Sequence, residues 1–425
     1  MESSLLKEVL RSCIPAILSL MMIGLYGVID GLFVGNATSD VGLAAINIAW
    51  PLIACVNAIG VTIGTAGSVL MSVEKGNGNE KRSKEIFSTT IIAIVMTAII
   101  TTVLLLPIYP RILEMFGAKG EILIEADKYT KTIICGCIFQ ALGTGIIPIL
   151  RNKNKAFAAM MCMFAGTGLN VFVNYYLIFV LELGVQGAAM ATVFAQFIVT
   201  VMGSVILFRE EKLFPIFKWK HFARIIKVGI ATFGITVSPS IVLMFTNLQC
   251  LKYGGHIAAA SYAVISYITF PVQSMLSGVG EGVQPLISLC VGANDKDKLI
   301  KIRKIALGIL FIFACILTMV VVLLSENLGI WFGLSKEALE IFKTGILIYA
   351  YVFVLAGFAK FNVSYLNSTL QTSKAIFLTY SESLVVTPIF IFLLPVIFKT
   401  EGIWLSFGVT AVVQLVIYQI VSSRK

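Results

Sequence analysis

The sequence predicts an all-α polytopic membrane protein: twelve transmembrane helices in two six-helix lobes, related by a pseudo-two-fold axis along the membrane normal. Three observations lead there. Of 425 residues, 58% are hydrophobic and only 13% are charged, about half the charged share of an ordinary soluble domain. The apolar residues gather into runs long enough to cross a bilayer. The second half of the chain then repeats the first.

Lipid offers no partner to an open backbone, so apolar runs of about 20 residues read as helices. They lie at 12–34, 43–73, 86–106, 129–150, 156–181, 187–208, 228–250, 257–291, 305–325, 342–366, 375–397 and 402–421. The first is too long for a signal peptide, carries Asp30 and is followed by many similar runs. The second and eighth exceed what a membrane needs. They contain Pro51, and Pro271 with Pro285, which predicts tilting, kinking or projection past the headgroups. Proline frees a carbonyl, so Pro15, Pro239 and Pro388 in the first, seventh and eleventh runs predict kinks. Pro15 and Pro239 are the hinge candidates. The eight cysteines all fall within apolar segments and read as buried free thiols.

The net charge is +10, and its placement explains it better than a nucleic-acid partner would. With both termini in the cytoplasm, the inside loops and helix ends hold 23 of the 32 Lys and Arg, including Lys81, Arg82, Lys212, Lys218, Lys220, Arg424 and Lys425. The outside holds 8, and Lys360 falls within a span. Shifting the topology by one span inverts the bias, so the positive-inside rule sets the orientation. The expected location is a cell (plasma or inner) membrane, multi-pass, with the chain acting as a monomer.

A shift of 216 residues aligns Ala44 with Ala260, Gly64 with Gly280, Leu70 with Leu286, Ser72 with Ser288 and Gly76 with Gly292. Gly187 meets Gly402 at a shift of 215. Together these matches support two halves of six spans. An even number of spans per half makes the repeat parallel. The division is a lobe at 1–210, a cytoplasmic linker at 211–227 and a lobe at 228–425.

The chain has no G-x-x-x-x-G-K-[ST] loop, so no built-in ATP motor is expected. His221 and His256 are its only histidines, and neither joins a cysteine cluster, so a metal enzyme is not expected. An enzyme and an organic cofactor are not expected either. What remains is ionisable and polar residues inside the spans. Asp30 stands alone in the uncharged stretch from Ser12 to Val34. Such an acid is a functional candidate by default. At about 1.5 Å rise per residue, Asp30, Asn170, Asn174 and Thr192 reach similar depths toward the outer side. Burial disfavours an ionised carboxylate, and neighbouring amides and hydroxyls offset that penalty. The set is suited to holding a proton or to coordinating Na⁺ at Asp30. Asn170, Asn174 and Thr192 equally suit ordinary interhelical hydrogen bonds. In the second lobe Glu281, Lys360 and Glu382 all fall in the cytoplasmic half. They suit an ion-pair network or an inward vestibule, and Lys360 also suits snorkelling to the interface.

Tyr26 to Gly35 (YGVIDGLFVG), with Leu43-Ala44-Ala45 after it, resembles the first-helix signature of the multidrug and toxic compound extrusion (MATE) family. Gly278 to Gly292 (GVGEGVQPLISLCVG) resembles that family's eighth-helix pattern. Ile149-Leu150-Arg151-Asn152, Asn170 and Gly187-Ala188-Ala189-Met190-Ala191-Thr192 resemble its fourth-to-sixth-helix region. The resemblance implies a twelve-helix, two-lobed antiporter exporting drug-like, often cationic compounds in exchange for H⁺ or Na⁺. It implies that Asp30 is the ion-coupling acid, with Asn170 and Thr192 its polar partners and Pro15 a bending point. The chain departs from the family pattern at Asn174, where an aspartate is common. It departs again at Val237-Ser238-Pro239-Ser240, where some Na⁺-coupled members carry a glutamate. An alternative is a flippase for a lipid-linked sugar precursor, which would favour a strongly cationic cleft. A non-transporting receptor or scaffold would leave the buried acids and the duplication unexplained.

Overall fold

The computed structural model describes residues 2–209, 216–332 and 334–423. Lys212, the rest of 211–215 in the linker, Arg424 and Lys425 lie outside them. The described residues are helical nearly throughout and include no strand. The helices are α1 (Glu2–Gly76), α2 (Glu80–Leu105), α3 (Tyr109–Met115), α4 (Gly120–Cys135), α5 (Cys137–Asn152), α6 (Ala156–Tyr175), α7 (Gly184–Phe208), α8 (Trp219–Gly292), α9 (Lys296–Trp331), α10 (Lys336–Ser368), α11 (Thr372–Ser381) and α12 (Thr387–Ser423). Single π-helical turns, Tyr176–Val180 and Glu382–Val386, follow α6 and α11.

Three of these continuous runs hold more than one span. A Cβ on Gly35 would lie 3.1 Å from Leu43 Cδ1. Eight residues of straight helix cover about 12 Å, so the chain turns back between the spans Ser4–Gly35 and Val41–Gly76. α8 breaks at Gly255 (φ 62°, ψ −158°), a conformation that glycine adopts because it has no Cβ. The run Thr372–Ser423 breaks at Lys399 (φ 51°, ψ −129°). Among the described residues there are nine helices long and apolar enough to cross a membrane, plus one bent pair. With the breaks in α8 and α12 counted, these supply the twelve expected spans.

The structure departs from the sequence reading in three places. The fourth span, expected at 129–150, is α4 and α5 meeting at 58° around Gly136. Apolar patterning runs unbroken through that bend, so hydropathy gives no sign of it. The short helix α3 follows the third span and begins with a proline at its first turn, where the missing N–H costs nothing. Of the eight cysteines, all free, Cys135 and Cys315 are exposed rather than buried. An apolar residue in a span is free to face lipid, so membership of a span does not imply burial.

The backbone repeats as the sequence does. Left-handed residues recur 216 apart at Gly78 (φ 76°) and Asn294 (φ 54°), and at Asn154 (φ 58°) and Leu370 (φ 59°). Glu182 (φ 54°) and Lys399 (φ 51°) follow at 217. These are the connections between spans, so the two halves turn at the same places.

The chain packs as two compact units. One comprises Met1–Gly24, Ser238–Ile287 and Lys296–Lys425; the other comprises Leu25–Val237 and Ser288–Asp295. The division at 1–210 and 228–425 follows the repeat. The packing boundaries fall instead within the first helix of each half, next to Pro239 in the second. In the first unit, the start of α1 lies on α8: a Cβ on Gly278 would be 2.6 Å from Ile17 Cα, and one on Gly282 2.7 Å from Cys13 Cα. In the second unit, the start of α8 lies on α1, with a Gly229 Cβ 2.6 Å from Thr62 Cγ2. A shift of 216 carries Cys13 to Gly229 and Thr62 to Gly278, so one packing arrangement is made twice. The second unit also holds a reciprocal crossing. A Cβ on Gly76 would strike the carbonyl oxygen of Leu289, and one on Gly292 that of Val73. Val73 and Leu289 are themselves repeat partners, so this is the isologous contact a two-fold relation requires. Small residues permit such close backbone approach.

Candidate functional site

Asp30 lies on the first span of α1 and is 7% exposed. Helices α6 and α7 bring its partners. Asn174 Nδ2 donates to Asp30 Oδ1 at 2.5 Å and to Asn170 Oδ1 at 3.0 Å. Thr192 Oγ1 donates to Asp30 Oδ2 at 3.3 Å. Asn170 and Asn174 sit one helical turn apart, so one face of α6 presents both amides. Both are buried, as is Thr192. Asn174 lies just before the π-helical turn at Tyr176–Val180, a local widening found often at functional sites.

All four first-lobe residues expected from the sequence are therefore joined in one network, with different ranks. Asn174 and Thr192 touch the carboxylate. Asn170 supports Asn174 and reaches Asp30 through it. Tyr129, on α4, was not anticipated. It is buried and lies within electrostatic reach of Asp30. Nothing in its sequence neighbourhood (Asp127, Lys128, Thr130, Lys131) marks it, and only its proximity to Asp30 singles it out.

The oxygens gathered here suit a small hard cation, which prefers carboxylate and amide oxygen to nitrogen or sulfur. Asp30 contributes a formal charge. Asn174 Oδ1 is buried and has no hydrogen-bond partner, as has Asn170 Nδ2. A buried amide oxygen left without a donor is unusual in native proteins, and it leaves one free acceptor in the network around Asp30. Among the described residues no cluster of three His, Cys, Asp or Glu exists to hold a transition metal.

The second-lobe candidates are more open. Glu281, Lys360 and Glu382 are each half-buried. Lys360 and Glu382 interact electrostatically without a direct ion pair among the described residues. Glu382 opens the π-helical turn Glu382–Val386, and Pro388 stands in the first turn of α12 behind it. Of the hinge candidates, Pro15 is buried inside α1, and its carbonyl accepts from Ser19 Oγ at 2.6 Å. Pro239 is exposed.

Comparison with known proteins identifies the family. The family model MatE matches twice, over residues 15–176 and 232–393, once in each half. The multidrug export protein MepA of Staphylococcus haemolyticus is 26% identical over 417 residues, covering 95% of this chain and 90% of that protein. Its namesake from Staphylococcus saprophyticus is 23% identical over 426 residues, covering 97% and 90%. Among solved structures, an outward-facing multidrug resistance MATE family transporter of the MOP superfamily superposes with a TM-score of 0.93 at 21% identity, over 99% of this chain and 96% of that one. A MOP superfamily transporter from Pyrococcus furiosus, described as having a binding pocket of reverse polarity, gives 0.88 at 20% identity over 99% and 96%. With the family model covering most of both halves, the chain belongs to the MatE family of multidrug efflux transporters.

Proposed function

We propose that this transporter is a secondary active antiporter. It exports drug-like, cationic organic compounds in exchange for H⁺ or Na⁺, by alternating access, with both termini in the cytoplasm. The observation that carries the reading is Asp30: one buried carboxylate, held by Asn174 and Thr192, beside an amide oxygen that lacks a donor. A carboxylate that alternately holds and releases a cation changes its charge in each cycle, and so changes how well its surroundings pack around it. That differential is what a ligand needs to shift a conformational equilibrium. The multidrug export role of the similar staphylococcal proteins supports the cargo class. Pro15 is assigned as the bending point of α1, and Pro239 as a hinge in α8.

The test is efflux or counterflow of a cationic dye in proteoliposomes, with pH and Na⁺ gradients imposed separately. The wild-type chain should respond to at least one gradient. Asp30→Asn, incorporated to the same level, should lose that response while still binding dye. Full gradient-driven transport by Asp30→Asn would overturn the assignment. Translocation of a lipid-linked sugar with no dye transport would favour the flippase.

A further inference from the structure

The second unit carries a cavity far in sequence from Asp30 and made of different chemistry. It has a volume of about 390 Å³ and is lined by Lys81, Arg82 and Glu85 from the start of α2, and by Lys218, Lys220 and His221 from the start of α8. Two carboxylates hold this region together. Glu74 takes Arg224 at 3.1 Å and Arg82 at 3.6 Å. Glu85 takes Lys218 at 2.7 Å and His221 at 3.3 Å. Lys81 and Lys220 have no carboxylate partner among the described residues. His221 is 4% exposed, and its Nδ1 has no hydrogen-bond partner. The cavity therefore gathers positive charge that no carboxylate takes up, at Lys81 and Lys220.

An aromatic cluster adjoins it. Trp219 meets Phe217 at 5.3 Å and Phe222 at 5.5 Å between ring centroids. Trp219 is 70% exposed and Ile216 is 40% exposed. Exposed tryptophan beside converging cations, at the ends of membrane spans, is the composition of the headgroup layer. The positive-inside excess accounts for the number of cations near this surface. It does not account for four of these cations, from two distant segments, lining one recess.

We propose that this cavity binds the phosphate of an anionic phospholipid headgroup, drawn from the leaflet that faces the basic loops. Lys81, Arg82, Lys218 and Lys220 supply the charge, and Trp219 with Ile216 the surface along which the acyl chains leave. Basic recesses at the cytoplasmic ends of spans recognise anionic lipids by this chemistry. Bound lipid would tie the start of α2 to the start of α8. The proposal is independent of the role given to Asp30.

Native mass spectrometry of the purified full-length chain, titrated with phosphatidylglycerol or phosphatidylcholine, tests it. One phosphatidylglycerol should bind at concentrations where phosphatidylcholine does not. Each lysine neutralised should weaken binding about fivefold, so Lys81→Gln with Lys220→Gln should weaken it about 25-fold. Lys84→Gln, an exposed residue outside the cavity, should change it less than twofold, and His221→Gln provides a second cavity variant that leaves the lysines in place. Equal retention of the two lipids would overturn the proposal. So would equal losses from the cavity lysines and Lys84, which would mean diffuse attraction. Displacement of the lipid by millimolar inorganic phosphate, with phosphate binding as tightly on its own, would reassign the cavity to a soluble anion and overturn the lipid assignment.

Discussion

The Gly76–Gly292 crossing yields a prediction in which the sign carries the information. Replacing a helical glycine by alanine normally stabilises, by about 1 kcal/mol. Gly308 of α9 should behave so, because a Cβ there would meet nothing within 4 Å. At Gly292 the new methyl would overlap the Val73 carbonyl, with Asn77 N 3.0 Å away; at Gly76 it would overlap the Leu289 carbonyl, with Ala293 N at 2.8 Å. Backbone cannot rotate aside as a side chain can, so the two helices must separate by about an ångström. Overpacking of this kind costs about 1–3 kcal/mol. Set against the propensity gain, each single variant should be destabilised by about 1 kcal/mol. Because the two overlaps lie in one crossing, the separation forced by the first also relieves the second. The double variant should then gain propensity twice and bear the separation once, ending near wild type or within about 1 kcal/mol of it. Thermal unfolding of the four proteins in one detergent closes the cycle, with Gly308→Ala as control. Additive losses, with the double variant clearly worse than either single, would refute the shared-crossing argument. Stabilisation by both single variants would refute the close approach itself.

Two further outcomes follow from the polar residues. Asn174→Ala removes the shorter bond to Asp30, a charge-assisted bond worth about 1.5–3 kcal/mol, and it also removes the unpartnered amide oxygen. Gradient-driven efflux should fall about tenfold or more, and Thr192→Val, which loses only the 3.3 Å bond, should cost less. Efflux assays in which Thr192→Val proved the more damaging would mean that Asn174 is structural glue. In the second lobe, a double-mutant cycle on unfolding of Lys360→Met and Glu382→Gln should show a coupling of at least about 0.5 kcal/mol. A coupling of zero would remove the electrostatic link between them.

The chain's own order of residues determined the number of spans, the duplication and the singling out of Asp30. It could do so because solvation by lipid acts on each segment separately: a run of apolar residues, a lone acid within it or a motif 216 residues on is legible without knowing what it touches. The same one-dimensional property misled at Gly136, where a bend leaves the hydropathy unchanged, and at Cys135 and Cys315, where apolar surroundings meant exposed surface rather than core. Contacts between segments far apart in sequence were decided by packing alone. Asn170, Asn174 and Thr192 were equal candidates until helices α6 and α7 set two of them on the carboxylate and one behind. Tyr129 entered the site, and the starts of α1 and α8 took their places in opposite compact units, for the same reason. Glu85 lies more than 130 residues from Lys218 and His221 along the chain, and only the tertiary fold closes the distance that turns scattered loop charges into a cavity.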